Sequence, residues 1–167
     1  MNKAKKRMII IVTAAAAVYL LILLYIMWGR YFFATIDDMS KDIGADDTEH
    51  VIWEYYSDPD NPDAANSDHY IAFYDTKKGW YTIGDEMLDC NVECEDKLFS
   101  HRIRFYTYDT DENGKPFDPR LVCEGSYRFN DSEHLIVYVD DEFIGENTGG
   151  RSVLEFEKNY YAYAFEL

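Results

Sequence analysis

The chain predicts a mainly β protein: one N-terminal transmembrane helix, then an antiparallel β-meander of about seven strands forming a small barrel or a sandwich. Three observations carry that expectation. Residues 8–28 form an uncharged apolar run. From His50 onward apolar residues alternate with polar ones, the period of a strand with one wet face. The connections between the last of these runs are short, so sequential strands pair with their neighbours.

The apolar run comes first. As a helix it reaches roughly 32 Å, enough for one hydrocarbon core. Lys3, Lys5, Lys6 and Arg7 precede it, and Arg30 is the one base between it and Lys41. That bias keeps the N-terminus in the cytoplasm and sends the remainder across. Trp28, Tyr31, Phe32 and Phe33 set aromatic rings at the far interface. The rival reading is a cleaved signal peptide, whose apolar core is about 7 to 15 residues long and ends at a small-x-small site. A cut after Ala34 puts bulky Phe32 where that site needs a small residue, so an uncleaved anchor is expected. The expected division is a cytoplasmic basic tail at 1–7, a transmembrane signal-anchor helix at 8–29, an acidic juxtamembrane spacer at 30–48 and an extracytoplasmic β domain at 49–167. The protein is then a single-pass protein of the cell membrane.

In the spacer, Thr35 and Asp38 resemble a capping box with Asp in place of Glu. A short helix follows, with Ile36, Met39 and Ile43 on one face and Gly44 as its stop. It reads as a packing spacer.

The strands follow in order. Val51–Tyr56 is the first. Residues 57–68, with two prolines, four Asp and two Asn, form a loop. Tyr70–Tyr74 and Trp80–Ile83 make a hairpin around Lys77, Lys78 and Gly79. Residues 85–98 are ambiguous between loop and short helix. In 99–108, Phe99, His101, Ile103, Phe105 and Thr107 alternate with residues that include Arg102 and Arg104. In 121–129, Leu121, Cys123, Gly125, Tyr127 and Phe129 alternate with Glu124, Ser126 and Arg128. Runs at 135–139, 153–156 and 160–167 complete the set, with a break expected near Lys158 and Asn159. No Gly-x-Trp opening motif is present, so the meander defines an architecture and no family.

Beyond Gly29 there are 32 Asp and Glu against 12 Lys and Arg, because four of the 16 bases precede the apolar run. Such a charge repels nucleic-acid phosphates and anionic headgroups, which excludes nucleic-acid binding. It attracts metal cations or a basic partner, or serves solubility alone. The cysteines are Cys90, Cys94 and Cys123. Two readings stay open for them: one disulfide with a spare thiol, or reduced thiols in the core. Zinc held by the three with His101 matches no known finger or ribbon spacing.

The sharpest local motif is Asp109-Thr-Asp111-Glu-Asn113-Gly114, the first half of a calcium loop. Asp109, Asp111 and Asn113 are the candidate ligands for Ca²⁺, with Asp118 as an extra oxygen. The twelfth position holds Arg120 where the site needs an anion, and both flanks look like strands, which argues against an EF-hand. The competing reading is a plain hairpin tip built on Asn113-Gly114. The loop carrying Asp58, Asp60, Asn61, Asp63 and Asp68 fits no metal pattern. No two of His50, His69, His101 and His134 have helical zinc spacing; His101 lies on an apolar face and reads as a bonded core histidine. No catalytic serine motif and no phosphate-binding glycine loop is present. Tyrosine dominates the aromatics beyond the anchor, either as sheet residues or as a platform for glycans or proteins.

The expected function is therefore a non-enzymatic binding or interaction module of the cell envelope, anchored by one membrane span and facing a protein or glycan partner. The alternatives are a calcium-stabilised surface module and a small-ligand calyx or hydrolase.

Overall fold

The alternating runs form strands, with those at 153–156 and 160–167 joined in one (residues 163–167 lie outside the described residues), and eight antiparallel strands close in the order β1 to β8, with β8 returning to β1. The computed structural model describes residues 3–40, 49–57, 69–74, 78–84, 86–97 and 100–162. The strands are β1 (Glu49–Tyr56), β2 (Tyr70–Tyr74), β3 (Lys78–Ile83), β4 (Glu86–Lys97), β5 (Ser100–Thr110), β6 (Pro116–Phe129), β7 (His134–Val139) and β8 (Val153–Ala162). Ile43, Gly44 and most of the 57–68 loop, with its five oxygen-bearing residues, lie outside the described residues.

Ahead of the barrel runs α1 (Lys3–Leu24), a π-helical turn Tyr25–Gly29 and the short α2 (Arg30–Phe32). The stretch Lys3–Met27 is long and apolar enough to cross a membrane, and none of it is buried by the rest of the chain. Next comes α3 (Ile36–Ser40). It opens with the expected capping box: the Thr35 N–H donates to Asp38 Oδ2 (3.1 Å) and the Asp38 N–H donates to Thr35 Oγ1 (3.1 Å). Its apolar face, Ile36 and Met39, is buried in the barrel core.

That makes α3 a plug. Three polar ties hold it in the barrel mouth. The Ile36 N–H donates to Tyr127 Oη (3.3 Å), Trp53 Nε1 donates to Ser40 Oγ (3.1 Å), and Lys158 Nζ donates to the Met39 carbonyl (2.8 Å). A cation suits the carbonyl end of a helix. The same residue explains a departure from expectation. The break foreseen near Lys158 is absent, and β8 runs through it, because Leu154, Phe156 and Lys158 share the inner face. Lys158 keeps the period by reaching the plug from the barrel rim.

The ambiguous 85–98 region is also a strand. Cys90 and Val92 are buried on the inner face of β4, while Met87, Asp89, Glu93 and Glu95 face outward. The period of two was present, carried by cysteines acting as small apolar residues. This strand raises the total to eight.

Eight strands enclose a space that side chains can just fill. Trp53, Phe73, Tyr81, Phe105 and Phe156 are fully buried there. Phe105 and Phe156 stack with centroids 6.0 Å apart, and Phe73 meets Phe156 edge-on at 5.6 Å. Each such ring contributes about 1.5–3 kcal/mol on burial.

All three thiols are free. The register explains why. Cys123 pairs with Phe105, and Phe105 pairs with Val92, so Cys123 lies two strands from β4 and opposite neither of its cysteines. Two strand spacings are about 10 Å, and a disulfide needs Cα atoms within about 7 Å. Cys90 and Cys94 sit four residues apart on one extended strand, about 13 Å. The disulfide reading therefore gives way to reduced core thiols. Burial pushes both Cys90 and Cys123 up to about 12, so neither ionises near neutral pH.

The far end is closed by residues 140–152. Tyr81 Oη donates to the Asn147 carbonyl (2.8 Å), Asn147 Nδ2 donates to the Val122 carbonyl (3.1 Å), and Thr148 is fully buried. Arg151 Nη2 ties this lid to the Ser57 carbonyl (2.6 Å).

Candidate functional site

Buried aromatic rings occupy the interior, α3 sits at one end and residues 140–152 at the other, and the outer wall carries the exposed side chains. Its largest exposed apolar side chains group on β3–β6. The register sets Ala72, Trp80 and Asp89 in one row across β2, β3 and β4. A second row runs Lys78, Asn91, Tyr106, Leu121 across β3 to β6. Met87 pairs with Thr82 beside them. Trp80 is 40% exposed, Met87 48% and Leu121 37%, well above the inner face of the same strands. Tyr74 leans on Trp80 with centroids 6.2 Å apart. Tyr108 lies close enough to Asp89 and Tyr74 that burial, then the Asp89 charge, push its phenol above the ordinary 10.0. The result is an aromatic platform with a carboxylate at its centre.

Such a surface can do two things. Flat rings stack on sugar faces or on apolar protein side chains, and Asp89 accepts hydrogen bonds that set orientation. Alternation placed these rings outward while sending Tyr55, Tyr81 and Tyr127 into the core.

The neighbouring wall is occupied by its own charges. Arg102 bonds Glu124 Oε1 (2.8 Å) and grips Asp140 through both nitrogens, one at 3.1 Å, and these acids hold its guanidinium charged. Arg104 Nε reaches Glu124 Oε1 at 3.0 Å. On the opposite wall Glu54 is buried, with Tyr56 Oη (3.0 Å), Tyr70 Oη (2.8 Å) and Asn159 Nδ2 (2.5 Å) all donating to it. Both groups are satisfied internally and hold register.

The calcium candidates sit on the β5–β6 hairpin, exposed. Asp109 Oδ1 accepts from Arg120 Nη2 (2.7 Å), and Asp111 Oδ1 accepts the N–H groups of Asn113 (2.9 Å) and Lys115 (2.8 Å). Gly114 takes a positive φ of 74° at the tip, and Asp118 one of 53° within β6. Among the described residues no three His, Cys, Asp or Glu groups converge as a metal site.

His101 is buried, as its apolar face implied, with Nδ1 3.0 Å from Asp96 Oδ1. Tyr127 Oη also donates to Asp96, completing a chain from the plug: Ile36 N–H to Tyr127 to Asp96 to His101. Burial, then Asp96, raise the Tyr127 phenol. His69 Nε2 meets the Glu146 carbonyl (2.8 Å) and His134 Nδ1 meets Asp131 Oδ1 (2.8 Å), while His50 is the second residue of β1. The Asp96–Tyr127 link escaped sequence reading because it joins β4 and β6 through side chains that no spacing relates.

No family model, no curated protein and no solved structure matches this chain.

Proposed function

We propose that the protein is a membrane-anchored, non-enzymatic binding module of the cell envelope that recognises a protein or glycan through the Tyr74–Trp80–Asp89 face. The observation that carries this reading is the exposed aromatic platform on a barrel with large rings buried in its interior. Fully buried Trp53, Phe73, Tyr81, Phe105 and Phe156 occupy the space a calyx ligand would need. His101 is buried with its Nδ1 on Asp96 and its ring 5.2 Å from that of Tyr127, so it belongs to the barrel wall rather than to the Tyr74–Trp80–Asp89 face. The bases at 3–7 and the span that follows support an N-terminus in the cytoplasm and a barrel outside.

The test is site-specific photocrosslinking in the native host. A crosslinking residue at Trp80 is expected to capture one discrete species, and the same residue at exposed Glu155 on β8 to capture none. Equal capture at both positions, or capture at Glu155 alone, would remove this face from the reading. Glycan recognition is separated by tryptophan fluorescence titration, in which quenching absent from Trp80→Ala points to a sugar.

A further inference from the structure

We propose that the junction between anchor and barrel binds the phosphodiester of a phospholipid headgroup, held by Arg128 in the clefts on either side of Phe32. The inference rests on the membrane-anchored reading above and adds a ligand class to it. One cleft, about 200 Å³, is lined by Phe32, Ser100, Ser126, Arg128 and Tyr138 among others. The second, about 250 Å³, is lined by Tyr31, Phe32, Arg128, Phe129 and Asn130. Phe32 and Arg128 belong to both.

Arg128 is set apart by what it lacks. Arg102, Arg104 and Arg120, its neighbours on β5 and β6, each pair with at least one carboxylate. Arg128 makes no ion pair among the described residues, in a chain with twice as many acids as bases. Its guanidinium lies over the Tyr138 ring, 5.2 Å from the centroid, which orients the group while leaving its N–H donors for a ligand. Ser100 and Ser126 add hydroxyl donors in the same cleft. A planar cation with hydroxyl neighbours is the chemistry that recognises phosphate oxygens.

Depth selects the source of that phosphate. The span ends at Met27, and Phe32 comes five residues later. At about 1.5 Å per residue that is about 7.5 Å, the outer edge of a headgroup layer. Such a layer is about 5–7 Å thick on each side of the hydrocarbon. The clefts therefore open at headgroup level whichever way the helix points. The acidic barrel disfavours lipids of net negative charge, so a zwitterionic headgroup such as phosphatidylethanolamine fits.

The experiment uses the full chain in maltoside micelles, with native mass spectrometry reading bound adducts. The probes are dihexanoyl phosphatidylethanolamine, dihexanoylglycerol without phosphate, and inorganic phosphate. The wild type is expected to carry the phospholipid, Arg128→Gln to need about tenfold more for the same occupancy, and Arg128→Lys to fall between. Dihexanoylglycerol is expected to leave no adduct. Equal phospholipid occupancy in Arg128→Gln overturns the proposal. Phosphate alone bound as well as the lipid, and lost in Arg128→Gln, assigns the cleft to a free anion and overturns the lipid source. Alkaline carbonate extraction of native membranes separates the two readings. Release of the wild-type chain would sink the anchor and this proposal together, whereas a retained chain with unchanged adducts sinks the cleft alone.

Discussion

Lys158 shows how one buried charge is tolerated. Its stem lies in the core near Trp53, whose ring centroid is 5.9 Å from Nζ, and its ammonium caps the Met39 carbonyl. Lys158→Met keeps the stem and leaves that carbonyl unpaired, so denaturant unfolding is expected to show a loss of about 1–3 kcal/mol. A neutral result would mean the plug end is already solvated. The Asp131–His134 pair carries a pH signature. The hydrogen bond to Asp131 raises His134 above its ordinary 6.5. Against the opposing cost of burial, the Glu133 N–H and the His134 ring lower Asp131 below its ordinary 3.8. The histidine contribution is complete below the unfolded value near 6.5 and is lost as pH rises through the raised one. The aspartate contribution is present above the unfolded value near 3.8 and is lost as pH falls through the lowered one. The melting midpoint is therefore expected to fall on going from about pH 6 to about pH 8, and His134→Gln to flatten that slope. An unchanged slope in the variant would place the titration elsewhere. At this scale the burial of His101 was legible from its neighbours along the strand. Its bond to Asp96 was not, because Asp96 closes it across a hairpin whose register the sequence leaves open.

Among the elements, strand curvature rests on two inward-facing glycines. A Cβ on Gly79 would lie 1.8 Å from the Ala72 carbonyl oxygen, and one on Gly125 would lie 2.3 Å from that of Tyr138. Backbone must move to admit either, so Gly125→Ala is expected to cost about 1–3 kcal/mol and to lower the melting midpoint by several degrees. Full stability in that variant would show that the wall can flatten there. The β5–β6 hairpin makes a contrasting prediction. Asp109 is tied to Arg120 and Asp111 to two backbone donors, so the turn is complete without a cation. Melting midpoints in chelator and in millimolar Ca²⁺ are expected to coincide; a rise with Ca²⁺ would identify Asp109, Asp111, Asn113 and Asp118 as ligands. The capping box of α3 and six of the strands could be read directly, since both are patterns within a few residues. The fourth strand was obscured by five acids, and the eighth by a lysine facing inward at a rim.

At the level of the entire fold, the segment that follows the apolar helix is joined to the barrel by packing and not only by chain. Ala34, Ile36 and Met39 lie in the same core as Trp53 and Phe129. A polypeptide beginning at Glu49 is expected to be less stable than one beginning at Ala34 by about 2–5 kcal/mol, the cost of truncating one or two buried side chains of this size. Identical melts would demote the plug to a surface ornament. Local pattern along the chain is enough for a long run without charge, the period of two, the caps and turns, and which face of each strand is apolar. Folding alone settles that the sheet closes, that β1 pairs with β8 from Glu49 opposite Ala162, and that the three cysteines stay apart. It likewise brings Trp80, Asp89 and Tyr108 to one face and leaves Arg128 beside Phe32 with no ion pair among the described residues. The reason is physical. Periodicity states whether a residue points in or out, whereas closure and register depend on contacts between segments a hundred residues apart, which no local pattern encodes.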